Sequence, residues 1–179
     1  DESFLDFAEG KNNSLLSERI LCKNPNLYIV KSISKSYGVP GLRLGILASG
    51  NTSMIDYLKN NLSIWNINSM AEFFMQILDK YKDDYRISLE KLKKERKHFY
   101  NELCGIDNLK VYPSQANYFL CELLNGLDSK KLAGALLEKN ILIKDLSGKI
   151  KNGKQYIRTA IRTEEENEVL LKNIKNIIE

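Results

Sequence analysis

The sequence predicts an α/β protein in two parts, and three patterns carry this prediction. Two short apolar runs, Leu27 to Val30 and Leu44 to Ala48, flank a polar loop that contains glycine, and they indicate buried strands. The stretch from Ser69 to Cys104 has neither proline nor glycine, which favours helix. Beyond Gly105, short apolar runs alternate with helical patterns, as in strands that are covered by helices.

The composition is ordinary for a soluble globular protein and excludes several classes of function. The chain has 179 residues, is 43% hydrophobic and 28% charged, and carries a net charge of +4. This mild positive charge is compatible with small anions and does not favour nucleic acid. The single histidine, His98, lies in a charged helical face, so the chain lacks the residues for a Ser-His-Asp relay or a histidine metal site.

The cysteine pattern and the hydropathy predict a cytoplasmic protein that does not bind membranes. Cys22, Cys104 and Cys121 are few, scattered and odd in number, so no disulfide framework is expected. No apolar run approaches membrane-spanning length, and no basic-then-apolar leader is recognisable.

The first part of the chain is expected to contain short elements and then a long helix. The pattern predicts a helix from Asn13 to Cys22 with Ser14 as its cap, and a short helix that opens at Met54. From Ser69 onward it predicts one long amphipathic helix, or two with a bend near Lys82. The expected apolar stripe consists of Ala71, Phe74, Met75, Leu78, Tyr85, Leu89, Leu92, Arg96, Phe99 and Leu103.

The last part is expected to form a compact α/β domain. The predicted strands are Leu109 to Tyr112, Asn117 to Leu123, Ile141 to Ile143 and Gln155 to Ile161. A helix from Ser129 to Lys139 has Ser129 as its cap and buries Leu132, Leu136 and Leu137. The final helix is capped by Thr163 and Glu166 in a capping box, with Val169, Leu170, Ile174, Ile177 and Ile178 inward.

The loop between the first two strands contains the residues with the clearest chemistry. Residues 31–45 read KSISKSYGVPGLRLG, and the turn brings Lys35 and Arg43 to the same end. A half-buried lysine is more readily neutral, and a neutral amine forms an imine with a carbonyl. Arg43, Ser32 and Ser34 supply donors for a phosphate. Together these groups describe a cradle for pyridoxal phosphate, and the alternative is a surface loop with a solvated lysine.

The pattern Ser-x-Ser-Lys-x-Tyr-x-x-x-Gly-Leu-Arg-x-Gly resembles the cofactor-lysine signature of class I/II aminotransferases, the fold-type-I pyridoxal-phosphate enzymes. The resemblance implies that Lys35 is the Schiff-base lysine and that Arg43 and Ser32 bind the cofactor phosphate. A P-loop is excluded, because no glycine occurs from Cys22 to Ser34.

The opening residues, Asp-Glu-Ser-Phe, resemble the end of a strand in the same family. The resemblance implies that Asp1 pairs with the protonated pyridine nitrogen of the cofactor. Without the resemblance, Asp1 would be interpreted as part of a disordered terminus. Phe4 stands where the family commonly has tyrosine, and a phenylalanine at this position resembles the threonine-phosphate-decarboxylase-like branch. The resemblance covers the C-terminal half of the family fold: residues 1–80 match the end of the large cofactor-binding domain, and 81–179 match the linking helix and the small domain.

Four further residues are assigned to the substrate or its mouth by resemblance. Residues 156–168 are similar to the family's C-terminal signature, which implies that Arg158 grips a substrate anion; the alternative is a structural salt bridge. Lys144 stands where the family often has an arginine on a substrate phosphate. Trp65 and Asn66 resemble residues at the substrate mouth, with Trp65 packed in the core as the equal alternative.

The resemblance implies an enzyme similar to histidinol-phosphate aminotransferase and threonine-phosphate decarboxylase. Transamination between an amino donor and a keto acid is the first expectation, with an amino acid or a phosphorylated amine as substrate. Decarboxylation is the second, and a non-catalytic fragment or interaction module is the third. We expect a homodimer, and we expect this fragment to be inactive without the N-terminal half of a longer or split parent protein.

Overall fold

A computed structural model describes residues 1–10 and 14–178, and it divides the chain into two compact units, Asp1–Leu89 (unit 1) and Glu90–Glu179 (unit 2). The predicted assignment of these parts to a large and a small domain stays a prediction. The strands are β1 (Tyr28–Ser32), β2 (Gly45–Ser49), β3 (Leu109–Tyr112), β4 (Tyr118–Leu123), β5 (Lys144–Asp145) and β6 (Gln155–Ala160). The helices are α1 (Glu18–Lys23), α2 (Ile33–Ser36), α3 (Thr52–Asn61), α4 (Ser69–Ile77), α5 (Lys82–Cys104), α6 (Ser129–Leu137) and α7 (Glu164–Ile178).

The two strands predicted in unit 1 form an antiparallel hairpin, but the expectation that they are buried is wrong, because Val30, Ile46 and Leu47 are exposed. The pairing runs from Tyr28 opposite Ser49 to Ser32 opposite Gly45. The connection is not a plain loop, because it contains the short helix α2 and a 3-10 turn at Pro40–Leu42. A small apolar cluster of Ile33, Leu44 and Ala71 lies beneath this connection.

The first predicted helix is shorter than expected and has a different cap. Asn13 lies outside the described residues, and α1 begins only after Ser17, whose hydroxyl accepts from the backbone N–H of Ile20. Ser14 is not a cap, because its hydroxyl donates to the Glu2 carboxylate at 2.7 Å. The two serines are equally good caps by residue type, so the tertiary contact to Glu2 decides between them.

The long helical stretch forms two helices, which is the second of the two possibilities that the sequence predicts. A 3-10 turn at Leu78–Tyr81 separates α4 from α5, just before the expected bend at Lys82. Ala71, Arg96, Phe99 and Leu103 of the predicted stripe are buried, whereas Met75 is exposed. None of the helices in residues 1–10 and 14–178 is long and apolar enough to cross a membrane.

Unit 2 is a four-stranded antiparallel sheet with helices on one face. The strand order is β3-β4-β6-β5. Phe119, Cys121 and Leu123 of β4 point into the core, which contains Phe99 and Leu103 of α5 together with residues of α6 and α7. Because side chains alternate along a strand, Tyr118, Leu120 and Glu122 of β4 lie on the opposite face. This second face carries the unit's candidate substrate residues.

Four details predicted for unit 2 are wrong. Helix α6 is capped by Asp128, whose carboxylate accepts from the N–H groups of Lys130 and Lys131, and Leu137 is exposed. No strand forms at residues 141–143, because β5 consists only of the two residues that follow them, Lys144 and Asp145. Val169 of α7 is exposed, because α7 turns its Leu170, Leu171 and Ile174 side inward. The capping box of Thr163 and Glu166 is confirmed, with both donor–acceptor distances at 3.4 Å.

Candidate functional site

The closed end of the β1–β2 hairpin gathers the predicted cofactor residues of unit 1. Ser32 pairs with Gly45, and the N–H of Ile33 donates to the carbonyl of Leu44 at 3.1 Å. These bonds bring the two ends of the connection together, and Lys35 and Arg43 both lie on that connection.

Lys35 occupies the third position of α2, and its side chain is exposed. The buried side of this one-turn helix is formed by Ile33 and Ser34. The expectation of a half-buried lysine is therefore wrong for the residues present, because α2 turns this position outward. Among the described residues, Lys35 has neither an ion pair nor a hydrogen-bond partner, so its side-chain amine is accessible.

Arg43 follows the 3-10 turn in a left-handed backbone conformation, with φ of 53°. Its Nη1 donates to the carbonyl of Pro40 at 3.2 Å, which fixes one edge of an otherwise exposed guanidinium. A guanidinium has five N–H donors in a planar fork, so a single internal bond leaves donors for an anion.

The two serines that precede Lys35 are in mutual contact. Their Oγ atoms, on Ser32 and Ser34, are 2.6 Å apart, and Ser34 is buried. A hydroxyl can donate to one partner while accepting from another. The pair therefore presents donor capacity next to the connection that carries the lysine and the arginine.

Asp1 is held beside β1 by the segment that follows it. The N–H of Glu2 donates to the carbonyl of Val30 at 2.8 Å, and the N–H of Ser32 donates to Ser3 Oγ at 2.9 Å. Asp1 Oδ1 accepts from the Ser3 N–H at 2.8 Å and from the Ser3 hydroxyl at 2.5 Å. The predicted ring-nitrogen ligand is thus anchored to the strand that leads into the lysine helix.

Sequence reasoning missed a charged cluster under this hairpin. Asp6 forms a 2.6 Å ion pair with Lys31 and accepts from the hydroxyl of Tyr85 at 2.7 Å. Burial raises the pKa of Asp6, but the hydrogen bonds from Lys31 and Tyr85 outweigh it and leave the pKa below its usual value. The Tyr85 ring stacks on Tyr37 at 4.0 Å, two residues after Lys35. No sequence pattern relates Asp6 to Tyr85, because they are 79 positions apart.

Asn66 and Trp65 lie in the segment between α3 and α4. Trp65 is 88% exposed, which contradicts the alternative in which it packs in the core. Asn66 is exposed as well, and unit 1 offers no contact that relates it to Lys35. Its substrate role stays a prediction.

In unit 2, the structure brings the two predicted substrate cations together. Lys144 of β5 lies directly opposite Arg158 of β6, and both side chains are exposed on the face away from the core. The Arg158 guanidinium lies 4.9 Å from the centre of the Tyr118 ring. Like charges directly opposite each other on neighbouring strands repel, and a bound anion between them would relieve the repulsion.

A buried hydrogen-bond cluster, which the sequence did not reveal, fixes the short strand that carries Lys144. The Asp145 carboxylate accepts from the hydroxyls of Ser129 and Ser147, each at 2.7 Å, and from the N–H of Ser147 at 2.9 Å. These bonds, led by that from the Ser147 backbone, lower the pKa of Asp145. Ser129 is fully buried, so its hydroxyl is committed to this cluster and not to the helix cap.

The polar side chains predicted to bind the cofactor in unit 1 fit a phosphorylated aldehyde. They comprise an unpartnered primary amine, a guanidinium, two adjacent hydroxyls and an anchored carboxylate, on Lys35, Arg43, Ser32, Ser34 and Asp1. No group of three or more His, Cys, Asp or Glu side chains in the described part of the chain is placed to hold a metal ion.

Comparison with known proteins finds relatives that match along nearly the whole of this chain. L-serine phosphate decarboxylase of Campylobacter jejuni is 35% identical over 99% of this chain and 46% of its own length. The structure of a decarboxylase from Sulfurospirillum multivorans matches with a TM-score of 0.87 at 33% identity, over 100% of this chain and 52% of that one. The histidinol-phosphate aminotransferase of Clostridium acetobutylicum matches with a TM-score of 0.88 at 31% identity, over 99% and 52%.

The chain thus spans about half the length of these relatives. The fold is the corresponding part of a fold-type-I pyridoxal-phosphate enzyme. Residues 1–174 match the family described as aminotransferase class I and II, whose members depend on pyridoxal phosphate. The chain therefore belongs to the class I and II aminotransferase family.

Proposed function

We propose that this chain is the C-terminal half of a pyridoxal-phosphate enzyme that acts on a phosphorylated amino acid. The observation that carries the proposal is the β1–β2 hairpin, whose closed end carries a guanidinium, two hydroxyls and an amine without a partner among the described residues. A carboxylate is anchored beside its strand β1. Pyridoxal phosphate supplies an aldehyde that condenses with amines and a ring that stores the electrons released when a bond to the α-carbon breaks.

Each of the five predicted cofactor residues of unit 1 has a role in this proposal. Lys35 Nζ holds the aldehyde carbon and afterwards moves a proton at the substrate's α-carbon. Arg43, Ser32 and Ser34 bind the cofactor phosphate through charge-assisted and hydroxyl hydrogen bonds. Asp1 keeps the ring nitrogen protonated, because a carboxylate beside it favours the charged form.

In unit 2, the opposed cations favour a substrate with two anionic groups. Arg158 suits a carboxylate, since its fork of donors matches the two oxygens, and Lys144 suits a phosphate as a point charge. A phosphorylated amino acid carries both groups. Asn66 would contact the substrate from its exposed segment.

We place decarboxylation ahead of transamination, which reverses the order expected from the sequence alone. The decarboxylases reported above are 33 to 35% identical to this chain, against 31% for the histidinol-phosphate aminotransferase. Phe4 lacks the hydroxyl that a tyrosine would direct at the cofactor, which agrees with the decarboxylase-like branch. The two reactions differ in which bond to the α-carbon is broken.

We propose that the working enzyme contains more of the parent protein than this chain. Catalysis requires the N-terminal half that this chain lacks, and we propose a cytoplasmic homodimer as the working form. A second candidate is a non-catalytic fragment or interaction module, which the coverage of about half of each relative favours. Cofactor capture at Lys35 separates the two.

The test is to label the 179-residue chain with pyridoxal phosphate, reduce it with borohydride and map the modified lysines by mass spectrometry. Reduction turns the reversible lysine–aldehyde adduct into a stable amine. We expect labelling at Lys35 at lower cofactor concentrations than at any other lysine. Lys35→Ala should abolish this preferred site, whereas Lys59→Ala, which removes an exposed lysine of α3, should leave it unchanged. Uniform labelling of surface lysines would contradict the cofactor role and favour the module.

A second experiment assigns the reaction. The chain would be joined to the N-terminal half of a relative and supplied with O-phosphoserine, pyridoxal phosphate and a 2-keto acid as amino acceptor. Release of carbon dioxide indicates decarboxylation, and transfer of the amino nitrogen to a keto acid indicates transamination. Activity that does not require a phosphate group on the substrate would contradict the proposed substrate class.

A further inference from the structure

We propose that Ser3 is a positioning residue that aims the Asp1 carboxylate at the ring nitrogen of the cofactor. This inference rests on the proposed function and extends it to a residue to which neither motif nor resemblance assigns a role. It is carried by the three hydrogen bonds that meet at Ser3, two through its hydroxyl and one through its backbone N–H.

The partners of the Ser3 hydroxyl fix the direction of its proton. Ser3 is 7% exposed, and its Oγ accepts from the N–H of Ser32 at 2.9 Å. A backbone N–H can only donate, so it occupies a lone pair of the hydroxyl. The hydroxyl proton is left for the other neighbour, Asp1 Oδ1, at 2.5 Å.

This arrangement distinguishes the two oxygens of Asp1. Oδ1 accepts both from the hydroxyl and from the N–H of Ser3, the latter at 2.8 Å. Oδ2 has no hydrogen bond with any residue in the described part of the chain. Because two short bonds fix Oδ1, the carboxylate cannot rotate freely, and Oδ2 is the oxygen left for a cationic N–H. Ser3 thereby orients the carboxylate without touching the cofactor.

The same hydroxyl connects the two ends of the proposed cofactor site. Ser32 donates its N–H to Ser3, and its own hydroxyl lies 2.6 Å from that of Ser34. One hydrogen-bonded chain therefore joins the ring-nitrogen ligand Asp1 to the proposed phosphate ligands. Shifting Ser3 would move the carboxylate relative to the phosphate site, and the length of the cofactor fixes the separation that they need.

The test compares pyridoxal phosphate with its 1-deaza analogue, in which a carbon replaces the ring nitrogen. Both carry the aldehyde, so capture of each at Lys35 is measured in the 179-residue chain by borohydride trapping over a range of concentrations. A charge-assisted hydrogen bond favours the natural cofactor by about tenfold or more. The ratio of the two half-saturation concentrations isolates the ring-nitrogen interaction, because losses elsewhere affect both compounds equally.

We expect Ser3→Ala to reduce this ratio to within about threefold, which is the loss of most of a charge-assisted bond. Ser3→Thr keeps the hydroxyl and should restore the ratio. Ser49→Ala is the matched control, since it deletes a hydroxyl that donates to Leu27 O at 2.8 Å at the other end of the hairpin. It should leave the ratio unchanged.

Equal weakening of both compounds by Ser3→Ala, or an unchanged ratio, would overturn the positioning role and leave the proposed function intact. A wild-type chain that captures neither compound at Lys35 would overturn the proposed function itself. Should Ser3→Ala fail to fold, Ser3→Cys provides the same test, because sulfur fills the space with a much weaker donor and acceptor. A ratio unchanged in Ser3→Cys would also overturn the inference.

Discussion

Asp6 is held by two partners, and its titration gives unit 1 a defined response to acid. Its carboxylate contacts Lys31 at 2.6 Å and Tyr85 at 2.7 Å, and both side chains of the ion pair are less than one-fifth exposed. Its pKa is lowered despite burial, so the folded state binds this proton less readily than the unfolded chain. The stabilisation is therefore complete above the unfolded pKa of about 3.9 and is lost as the pH falls through the lowered value.

Replacement of Asp6 by asparagine should destabilise unit 1 and remove this acid response. The variant leaves Lys31 largely buried without a counter-charge, which costs about 1–3 kcal/mol in the free energy of unfolding at pH 7. Urea denaturation at pH 7 measures the loss of stability, and its comparison with pH 3 measures the acid response. Amide hydrogen exchange in β1 and β2 assigns both effects to unit 1.

The control for this prediction is Asp56→Asn. Asp56 and Lys59 are 3.9 Å apart and both about 70% exposed, so the change should stay within about 0.5 kcal/mol. A loss for Asp56→Asn equal to that for Asp6→Asn would show that burial of the Asp6 pair has no energetic effect.

At the residue scale, the sequence groups candidate site residues where their spacing along the chain is short. Lys35, Arg43, Ser32 and Ser34 lie within one connection, so one motif identifies them together. Ser3 and Asp6 were not found, because their partners Ser32, Lys31 and Tyr85 become neighbours only when the chain folds. The opposition of Lys144 and Arg158 required the strand register, which the sequence does not display.

At the scale of elements, packing requires a glycine at position 50, between β2 and α3. A Cβ at this position would lie 2.1 Å from the carbonyl oxygen of Leu21 in α1. Backbone atoms cannot move aside as a flexible side chain can, so Gly50→Ala forces α1 away from the hairpin. We expect a loss of about 1–3 kcal/mol, measured by urea denaturation and by faster hydrogen exchange in α1.

The matched substitution is Gly41→Ala. A Cβ there would meet nothing within 4 Å, and the backbone is not in the left-handed region. Its effect on stability should be within about 0.5 kcal/mol, as for surface changes generally. Equal effects at both glycines would refute the packing argument for Gly50.

The cap of α6 gives a second prediction at this scale. Asp128 accepts from the N–H groups of Lys130 and Lys131 at 2.8 and 2.9 Å, so Asp128→Ala should destabilise unit 2 by about 1 kcal/mol. Asp107→Ala changes another exposed aspartate of unit 2 that caps no helix and should be nearly neutral. Thermal unfolding followed by circular dichroism provides the comparison. A larger loss for Asp107→Ala would contradict the assignment of the cap.

Element-scale prediction was good wherever burial produces a clear period. The strands β1, β2, β3, β4 and β6 were all recognised from their apolar runs. The strand expected at residues 141–143 was wrong because Leu142 is 83% exposed and pairing starts only at Lys144. The cap of α6 was misassigned because Asp128 and Ser129 are adjacent and both suitable. Only the contact of Ser129 with Asp145 distinguishes them.

At the scale of the whole molecule, apolar surface is distributed unequally. Unit 2 encloses a large core that includes Phe99, Phe119, Ile157 and Ile174, each nearly or fully buried. Within the described residues, unit 1 has only the small cluster around Ile33 beneath its hairpin connection, and it carries most of the exposed large apolar side chains. These are Leu15, Leu16, Tyr28, Val30, Ile46, Leu47, Met54, Tyr57, Leu62, Ile64, Trp65, Ile67, Met70, Phe73, Met75, Tyr81 and Ile87.

This inequality predicts two unfolding transitions in the 179-residue chain. A two-stranded hairpin is marginally stable in water without further strands or a covering layer, whereas a four-stranded sheet with helices on one face has its own core. We expect unit 1 to unfold at lower urea concentration, with amides of β1 and β2 exchanging much faster than those of β4 and β6. A dye that binds apolar surface should bind before the first transition and lose most of this binding in it.

Joining the N-terminal half of a relative should raise the first transition toward the second, because the apolar faces of β1 and β2 would then be covered. The control is the same half joined with a substitution of Ile46 by aspartate, which places a charge on an exposed strand position. In the isolated chain Ile46→Asp should change little, whereas in the joined protein it should abolish the gain, since an unpaired charge is costly to bury. Equal exchange protection of β1 and β4 in the isolated chain would contradict the unequal distribution of stability from which this prediction follows.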